Sequence, residues 1–292
     1  MIVRIGDEVD GCTVDATSGG RLRSIVMAGR ERLLGEPAPG ADRSMGWGCY
    51  LMAPFVGRVR NGELSWGGLT TTLPINAGAH AIHGAVFDRP WDVVSQTSES
   101  VTLACGFDRA RWPFRGSMTQ TVAITRGRLT LEAEILAEEA MPAAIGWHPW
   151  FRKDGYDVRV GVQSDSVLRL APDLIPTGEL APVDTRTDLR TRPSLGDRRL
   201  DDVYASVASP VVVEWPDLEL VIAFDRPVSA VVVYNHHPQA ACVEPATAWP
   251  DSIRLAGSGR TDTGLVSLAA GERLRASTSW SWTAGHGAKT RQ

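Results

Sequence analysis

Val231 to Ser252 reads VVVYNHHPQAACVEPATAWPDS. With Ala230, its opening residues make an apolar, β-branched run, Ala230 to Tyr234, of strand length. A polar turn through His236, His237 and Pro238 follows, then a second apolar run, Ala240 to Val243. That run leads into a carboxylate, Glu244, set against Pro245. An ionised carboxylate entering an apolar strand costs several kcal/mol unless something compensates it, and packing alone rarely asks for that. A general base, or an acceptor of sugar hydroxyls, does. The plainer alternative is a strand-end carboxylate held by backbone N–H groups or an arginine.

The same strand–turn–strand pattern recurs on both sides. Leu64 to Leu73 reads as a hairpin turning at Gly67-Gly68. Ser117 to Ile135 reads as another: Met118, Gln120, Val122 and Ile124 alternate with smaller or polar residues, the chain turns at Arg126-Gly127-Arg128, and Leu129, Leu131, Ala133 and Ile135 share a face. Helical propensity over Glu132 to Ala140 competes with that alternation, and the alternation decides for strand. Val211 to Trp215 and Leu218 to Phe224 pair across Pro216-Asp217, and Leu274 to Trp282 makes a last strand. Asp173 to Leu200, rich in Pro, Thr, Asp and Arg, reads as a long loop inside the domain, and such loops are usually functional.

Many short strands separated by turns imply an all-β sandwich or barrel. At 292 residues a large antiparallel β-sandwich with two extensive sheets is expected, its concave face open to a ligand. Residues 1–284 are taken as one domain and 285–292 as a polar tail.

Apolar residues are 43% and charged residues 22%, an ordinary globular composition. A net charge of −4 without a basic block argues against nucleic acid and anionic membranes as partners. The N-terminus, MIVRIGDEVDG, carries charges where a signal peptide needs an apolar run, and no apolar stretch approaches the ~20 residues of a membrane span. The four cysteines, Cys12, Cys49, Cys105 and Cys242, lie far apart without a CxxC pair. Free thiols in a cytoplasmic compartment are expected. No metal-ligand spacing, GxSxG or phosphate-cradling glycine loop stands out, so no metal is expected.

Ala143 to Phe151, AAIGWHPWF, has the same character as the opening stretch, with His148 among Trp147, Trp150 and Phe151. Histidine titrates near neutral pH, and aromatic walls suit the apolar face of a sugar. A histidine among aromatics is also a common structural feature. The two stretches are expected to face each other across one pocket. Of the ten tryptophans, most belong to a core. Trp112, Trp147, Trp150 and Trp249 sit beside polar candidates, so one or two of them could stack on a sugar.

Together these segments resemble the aldose 1-epimerase (galactose mutarotase) family over roughly Leu51 to Ser252. PFVGRVRNGEL, AIHGAVFDRPW, GWHPWF, LDDVY and CVEPATAWPDS match five family segments in order. The resemblance implies the galactose mutarotase-like supersandwich and a cofactor-free isomerase. It implies a small-molecule sugar as partner and a monomer or homodimer as the working form. By the same resemblance Glu244 is the general base and His148 the general acid, while His83, Arg58 and Asp201 bind sugar hydroxyls.

Gly57 stands where the family has Asn. Its missing amide is expected to leave space beside Arg58 and to weaken binding of a plain hexose. Phe87 stands where hexose-6-phosphate members tend to carry Arg, which argues against a sugar phosphate, although Arg89 keeps that alternative open. A non-catalytic sugar-binding protein on the same fold is the second alternative. A glycoside hydrolase using Glu244 with Asp201 is the third.

Overall fold

Every second side chain of Gly116–Thr125 and Arg128–Ala137 is buried, among them Met118, Val122 and Ile124 on the first strand and Leu129, Leu131 and Ile135 on the second. In this computed structural model, which describes residues 1–38 and 44–284, the two strands pair antiparallel from Gly116↔Ala137 to Thr125↔Arg128. The turn is therefore the two residues Arg126-Gly127, with Gly127 at φ +72°, a conformation that glycine adopts without a Cβ clash. Alternation thus prevailed over helical propensity through Ala137. The hairpin at Gly67-Gly68 forms between Glu63–Trp66 and Leu69–Thr72. Ala208–Trp215 pairs with Leu218–Phe224 across Pro216-Asp217, and Arg273–Ala284 lies between Arg128–Ala137 and Leu218–Phe224. The Gly67-Gly68 hairpin is a separate two-stranded sheet, and the other strands named here belong to an eight-stranded antiparallel sheet.

An eleven-stranded sheet packs against it. Nine strands build or border the site and are numbered in chain order: Cys49–Met52 (β1), Arg58–Val59 (β2), Ala81–Ile82 (β3), Gly146–Arg152 (β4), Ser166–Leu170 (β5), Pro176–Pro182 (β6), Asp201–Tyr204 (β7), Ala230–Tyr234 (β8) and Ala240–Ala246 (β9). The larger sheet runs β1-β4-β9-β8-β7-β5-β6 towards one edge, while β2 and β3 form a separate two-stranded ladder. Leu51, Trp147, Phe151, Val231, Val233, Ala241 and Val243 face the eight-stranded sheet and share one core with Leu131, Ile222 and Trp280. Burying side chains of this size stabilises the fold by roughly 1.5–3 kcal/mol each. The other face of β1, β4, β9 and β8 is covered by loops and by the short helix Ser252–Gly257, so all seven residues of β9 are buried.

One expectation needs correction. Asp173 to Leu200 is not loop throughout, because β6 forms within it and pairs with β5. Its composition misled because β6 is an edge strand, where the prolines at its two ends are tolerated. Of the four candidate tryptophans only Trp150 lines the cleft described below. Trp147 and Trp112 lie in the core between the sheets, and Trp249 packs with Leu255 of the helix over β5 and β7. All four cysteines are buried free thiols. No helix among the described residues is long and apolar enough to cross a membrane. The expected tail, 285–292, lies outside the described residues.

Candidate active site

Strand alternation alone puts the two principal candidates together. On β9, Ala241, Val243 and Pro245 alternate with Cys242, Glu244 and Ala246, so Glu244 faces away from the inter-sheet core. On β4, Trp147 and Phe151 take the core face, which turns His148 and Trp150 to the other. Tyr50 of β1 is directly opposite His148, and Val232 of β8 is opposite Glu244. The β4–β9 register runs from Gly146↔Ala246 to Trp150↔Cys242, which brackets His148 against Glu244. No pair is made for residues 147–149 in between. Pro149 and Pro245 fall in that gap, and neither has an N–H to give the ladder. The H-P and E-P dipeptides thus open the backbone pairing beside the two polar side chains.

His148 Nε2 lies 3.2 Å from Glu244 Oε1, with both side chains nearly inaccessible. The imidazole is sandwiched between the rings of Tyr50, at 4.7 Å and 26°, and Trp150, at 5.2 Å and 12°. His83 meets it edge-on at 4.8 Å. Burial pushes the Glu244 carboxyl well above the usual carboxylate range; Asp201 adds to that and Arg58 opposes it. Burial holds His148 well below an ordinary histidine, helped by His83 and Arg21. Both shifts disfavour the charged form of their group.

The remaining predicted residues join them. Asp201 lies on the same face of β7, opposite Tyr234, and burial raises its carboxyl against the pull of Arg58. Its neighbour Asp202 points to the other face and holds Arg186 through two hydrogen bonds of 2.6 and 2.7 Å. Arg58 and His83 arrive on the β2–β3 ladder, where Arg58 pairs with Ile82 and the His83 N–H donates to the Gly57 carbonyl at 3.0 Å. Burial, with Arg58 beside it, drives His83 down to about 3. Arg58 makes no ion pair among the described residues, so its guanidinium is available to a ligand.

These residues line a cleft of about 490 Å³ together with Tyr50, Trp150 and Tyr234, a volume typical of small-molecule sites. Four buried polar atoms on its walls have no hydrogen-bond partner among the described residues: the Tyr50 hydroxyl, His83 Nδ1, His148 Nδ1 and Trp150 Nε1. Buried polar groups are nearly always paired. A cluster of four unpaired ones among aromatic faces suits a ligand dense in hydroxyls with apolar ring faces.

Tyr50 was missed in the sequence. The signal was the CYLM run, whose alternation puts Tyr50 and Met52 on the side opposite Cys49 and Leu51. His80 is structural: its Nδ1 accepts the Asn61 N–H at 3.1 Å, and Nε2 lies 3.7 Å from Asp173. The gap expected at Gly57 is absent. Gly57 sits at φ +57°, and a Cβ there would come within 2.5 Å of the Pro250 ring. Pro250 and its neighbour are part of the scaffold, because the Asp251 carboxylate accepts the Arg60 N–H at 3.1 Å and its N–H donates to the Arg58 carbonyl at 2.7 Å.

One grouping escaped the search for metal-ligand spacing. Ligand atoms of His148, Cys242 and Glu244 lie within 4.8 Å of one another. To hold a cation the set would need the Cys242 thiol and the Glu244 carboxyl deprotonated, against the direction in which burial pushes both.

Comparisons with known proteins bear on the fold and the family. The chain is 28% identical to a galactose mutarotase of Sus scrofa over 206 residues, which is 64% of this chain and 57% of that protein. It is 30% identical to a galactose mutarotase of Rattus norvegicus over 158 residues, 48% of this chain and 46% of that one. It therefore matches about half to three-fifths of these relatives' length. Among solved structures, an aldose epimerase homologue from C. elegans superposes with a TM-score of 0.84 at 18% identity, covering 98% of this chain and 99% of that one. A galactose mutarotase-like protein from Clostridium acetobutylicum gives 0.83 at 16% identity, covering 97% and 95%. Both show the same fold. The aldose 1-epimerase family model matches residues 2–281, and with that span the chain belongs to the aldose 1-epimerase family.

Proposed function

We propose that this protein is an aldose 1-epimerase that interconverts the α and β anomers of a free aldose by acid/base ring opening, with residues 1–284 working as one unit. The observation that carries this is the 3.2 Å approach of His148 Nε2 to Glu244 Oε1 on the wall of a cleft with unpaired polar groups. In the ring-opening direction the Glu244 carboxylate takes the proton of the C1 hydroxyl, and the His148 imidazolium protonates the ring oxygen. The C1–O5 bond breaks and C1 becomes an aldehyde. Rotation about C1–C2 presents the other carbonyl face. Closure returns one proton to O1 from Glu244 and one from the O5 hydroxyl to His148.

The proton count of the pair never changes through this cycle. The carboxylate–imidazolium form binds the ring, and the carboxyl–imidazole form binds the open chain. Burial favours the second form. Arg58, whose charge stabilises the Glu244 carboxylate, helps to recover the first. Each positioned group can supply roughly 10²–10⁴-fold. His83, Arg58 and Asp201 are assigned to sugar hydroxyls, and Tyr50 and Trp150 to holding the imidazole ring.

The curated relatives are galactose mutarotases, so galactose and glucose are the first substrates to test. A sugar phosphate is disfavoured. Among the described residues Arg58 is the one Arg or Lys lining the cleft, against two carboxyl groups. Arg89 does not line it and donates to the Gly106 carbonyl at 2.8 Å, while Phe87 is buried against Tyr50. Polarimetry on freshly dissolved α-galactose and α-glucose tests the activity. Acceleration proportional to protein concentration is expected. Sugar binding without acceleration would mean a binding protein instead.

A further inference from the structure

The larger sheet splits beside the sugar cleft. β5 and β7 are bridged at one point, Val167↔Tyr204. Beyond it β5 continues with β6, while β7 stays with β8. A second cleft of about 530 Å³ lies where they part, and Leu170, Leu174 and Asp201 line it as well as the sugar cleft. Asp201 therefore stands at the junction of the two.

We propose that this second cleft is a subsite for a neutral saccharide unit attached to the aldose through O2 or O3. The proposal rests on the epimerase function above, and the orientation follows from its chemistry. His148 on β4 faces the ring oxygen and Glu244 on β9 faces the C1 hydroxyl. C2 lies on the side of C1 away from the ring oxygen, so continuing from β9 across β8 to β7 follows the C2–C3 edge of the sugar. Val203 is the β7 residue in line with Glu244 through Val232, and Asp201 lies two residues along β7 from it, opposite Tyr234, so Glu244 and Asp201 are roughly 12 Å apart between backbones. Their side chains reach inwards from the two ends of that span and leave room for one pyranose hydrogen-bonded to both. A substituent on O2 or O3 passes Asp201 into the second cleft, and one on O4 or O6 does not.

Size and charge point to a neutral sugar. A hexose displaces about six waters, ~180 Å³, so one ring in the first cleft leaves the second free. Three arginines, Arg169, Arg186 and Arg199, line the second cleft against three aspartates, Asp184, Asp201 and Asp202. Most are already engaged: Arg186 with Asp202, Arg169 at 3.6 Å from Glu179, and Asp184 with the Thr187 hydroxyl at 2.8 Å. Among the described residues Arg199 is the one arginine of this cleft without an ion pair. Leu170 and Leu174, both partly exposed, offer apolar surface to the C–H face of a ring.

Exchange NMR on the full chain, which needs no pure anomer, provides the test. Anomer exchange is measured for glucose and for glucose disaccharides linked through O2, O3 and O4 of the reducing unit. A KM about tenfold or more below that of glucose is expected for the O2- or O3-linked sugar, with no gain for the O4-linked one. Thr177, exposed on β6 and outside the catalytic machinery, lines the second cleft. Thr177→Trp should raise the KM of the favoured disaccharide towards that of glucose while leaving glucose kinetics unchanged. Turnover of glucose with no tighter binding of either disaccharide overturns the subsite, as does a preference for the O4-linked sugar. This wild-type comparison decides the matter even if the tryptophan variant fails to fold. No turnover of any sugar, glucose included, overturns the epimerase function and the subsite with it.

Discussion

Replacing Glu244 with Gln keeps the shape of the side chain and removes its ability to take a proton. Glu244 is 3% exposed, and burial raises its carboxyl and so favours the neutral form, which the amide resembles in shape and charge. Loss of the base should lower kcat by roughly 10²–10⁴-fold, equivalent to about 2.7–5.5 kcal/mol of barrier. Stability should not fall. A carboxyl raised in the folded state contributes stability that is fully present below its unfolded value and lost as pH rises through the folded value. Gln does not titrate, so Glu244→Gln should be at least as stable as the parent at pH 8. The assay is polarimetric mutarotation beside thermal unfolding at pH 6 and pH 8. A folded variant with the parental rate would refute the base assignment. A variant markedly less stable at pH 8 would refute the raised carboxyl.

Three further outcomes follow from the same geometry. Gly57→Asn places a Cβ within 2.5 Å of the Pro250 ring and should destabilise the fold by about 1–3 kcal/mol without lowering KM; a tighter KM in a well-folded variant would contradict this. Dialysis against EDTA should leave the rate unchanged, and a loss restored by Zn²⁺ would make the His148–Cys242–Glu244 group a metal site. His83, driven to about 3 by burial, contributes stability that is present above its ordinary 6.5 and lost as pH falls towards 3, at about 1.4 kcal/mol per pH unit. Urea unfolding between pH 7 and pH 5 should therefore show a shallower loss in His83→Gln, and an equal slope in both proteins would contradict the assignment.

The sheets were legible because burial on one face leaves a period of two, as in Gly116–Thr125. The same period turns His148 and Glu244 to one face once Trp147 and Val243 are given to the core. Pairing across strands was not legible. That Tyr50 lies opposite His148, or that β5 parts from β7, depends on register between segments far apart in sequence. Composition misled at β6, where Pro and Thr mark an edge strand as readily as a loop. It misled at Gly57 too, where the family's missing amide suggested a gap and Pro250, 193 residues later, fills the space. His83 carried little signal alone, because its place on the cleft depends on the β2–β3 ladder and a backbone at φ +64°.

The central claim is that the His148–Glu244 pair opens and closes a sugar ring, and the most direct test is the exchange rate between the anomers of galactose in the presence of the wild-type protein. Magnetisation-transfer NMR at equilibrium reads that rate without a coupled enzyme. The account predicts exchange that rises in proportion to protein concentration and falls to the uncatalysed rate with Glu244→Gln. Line broadening from bound galactose with no gain in exchange over the protein-free sample would contradict it.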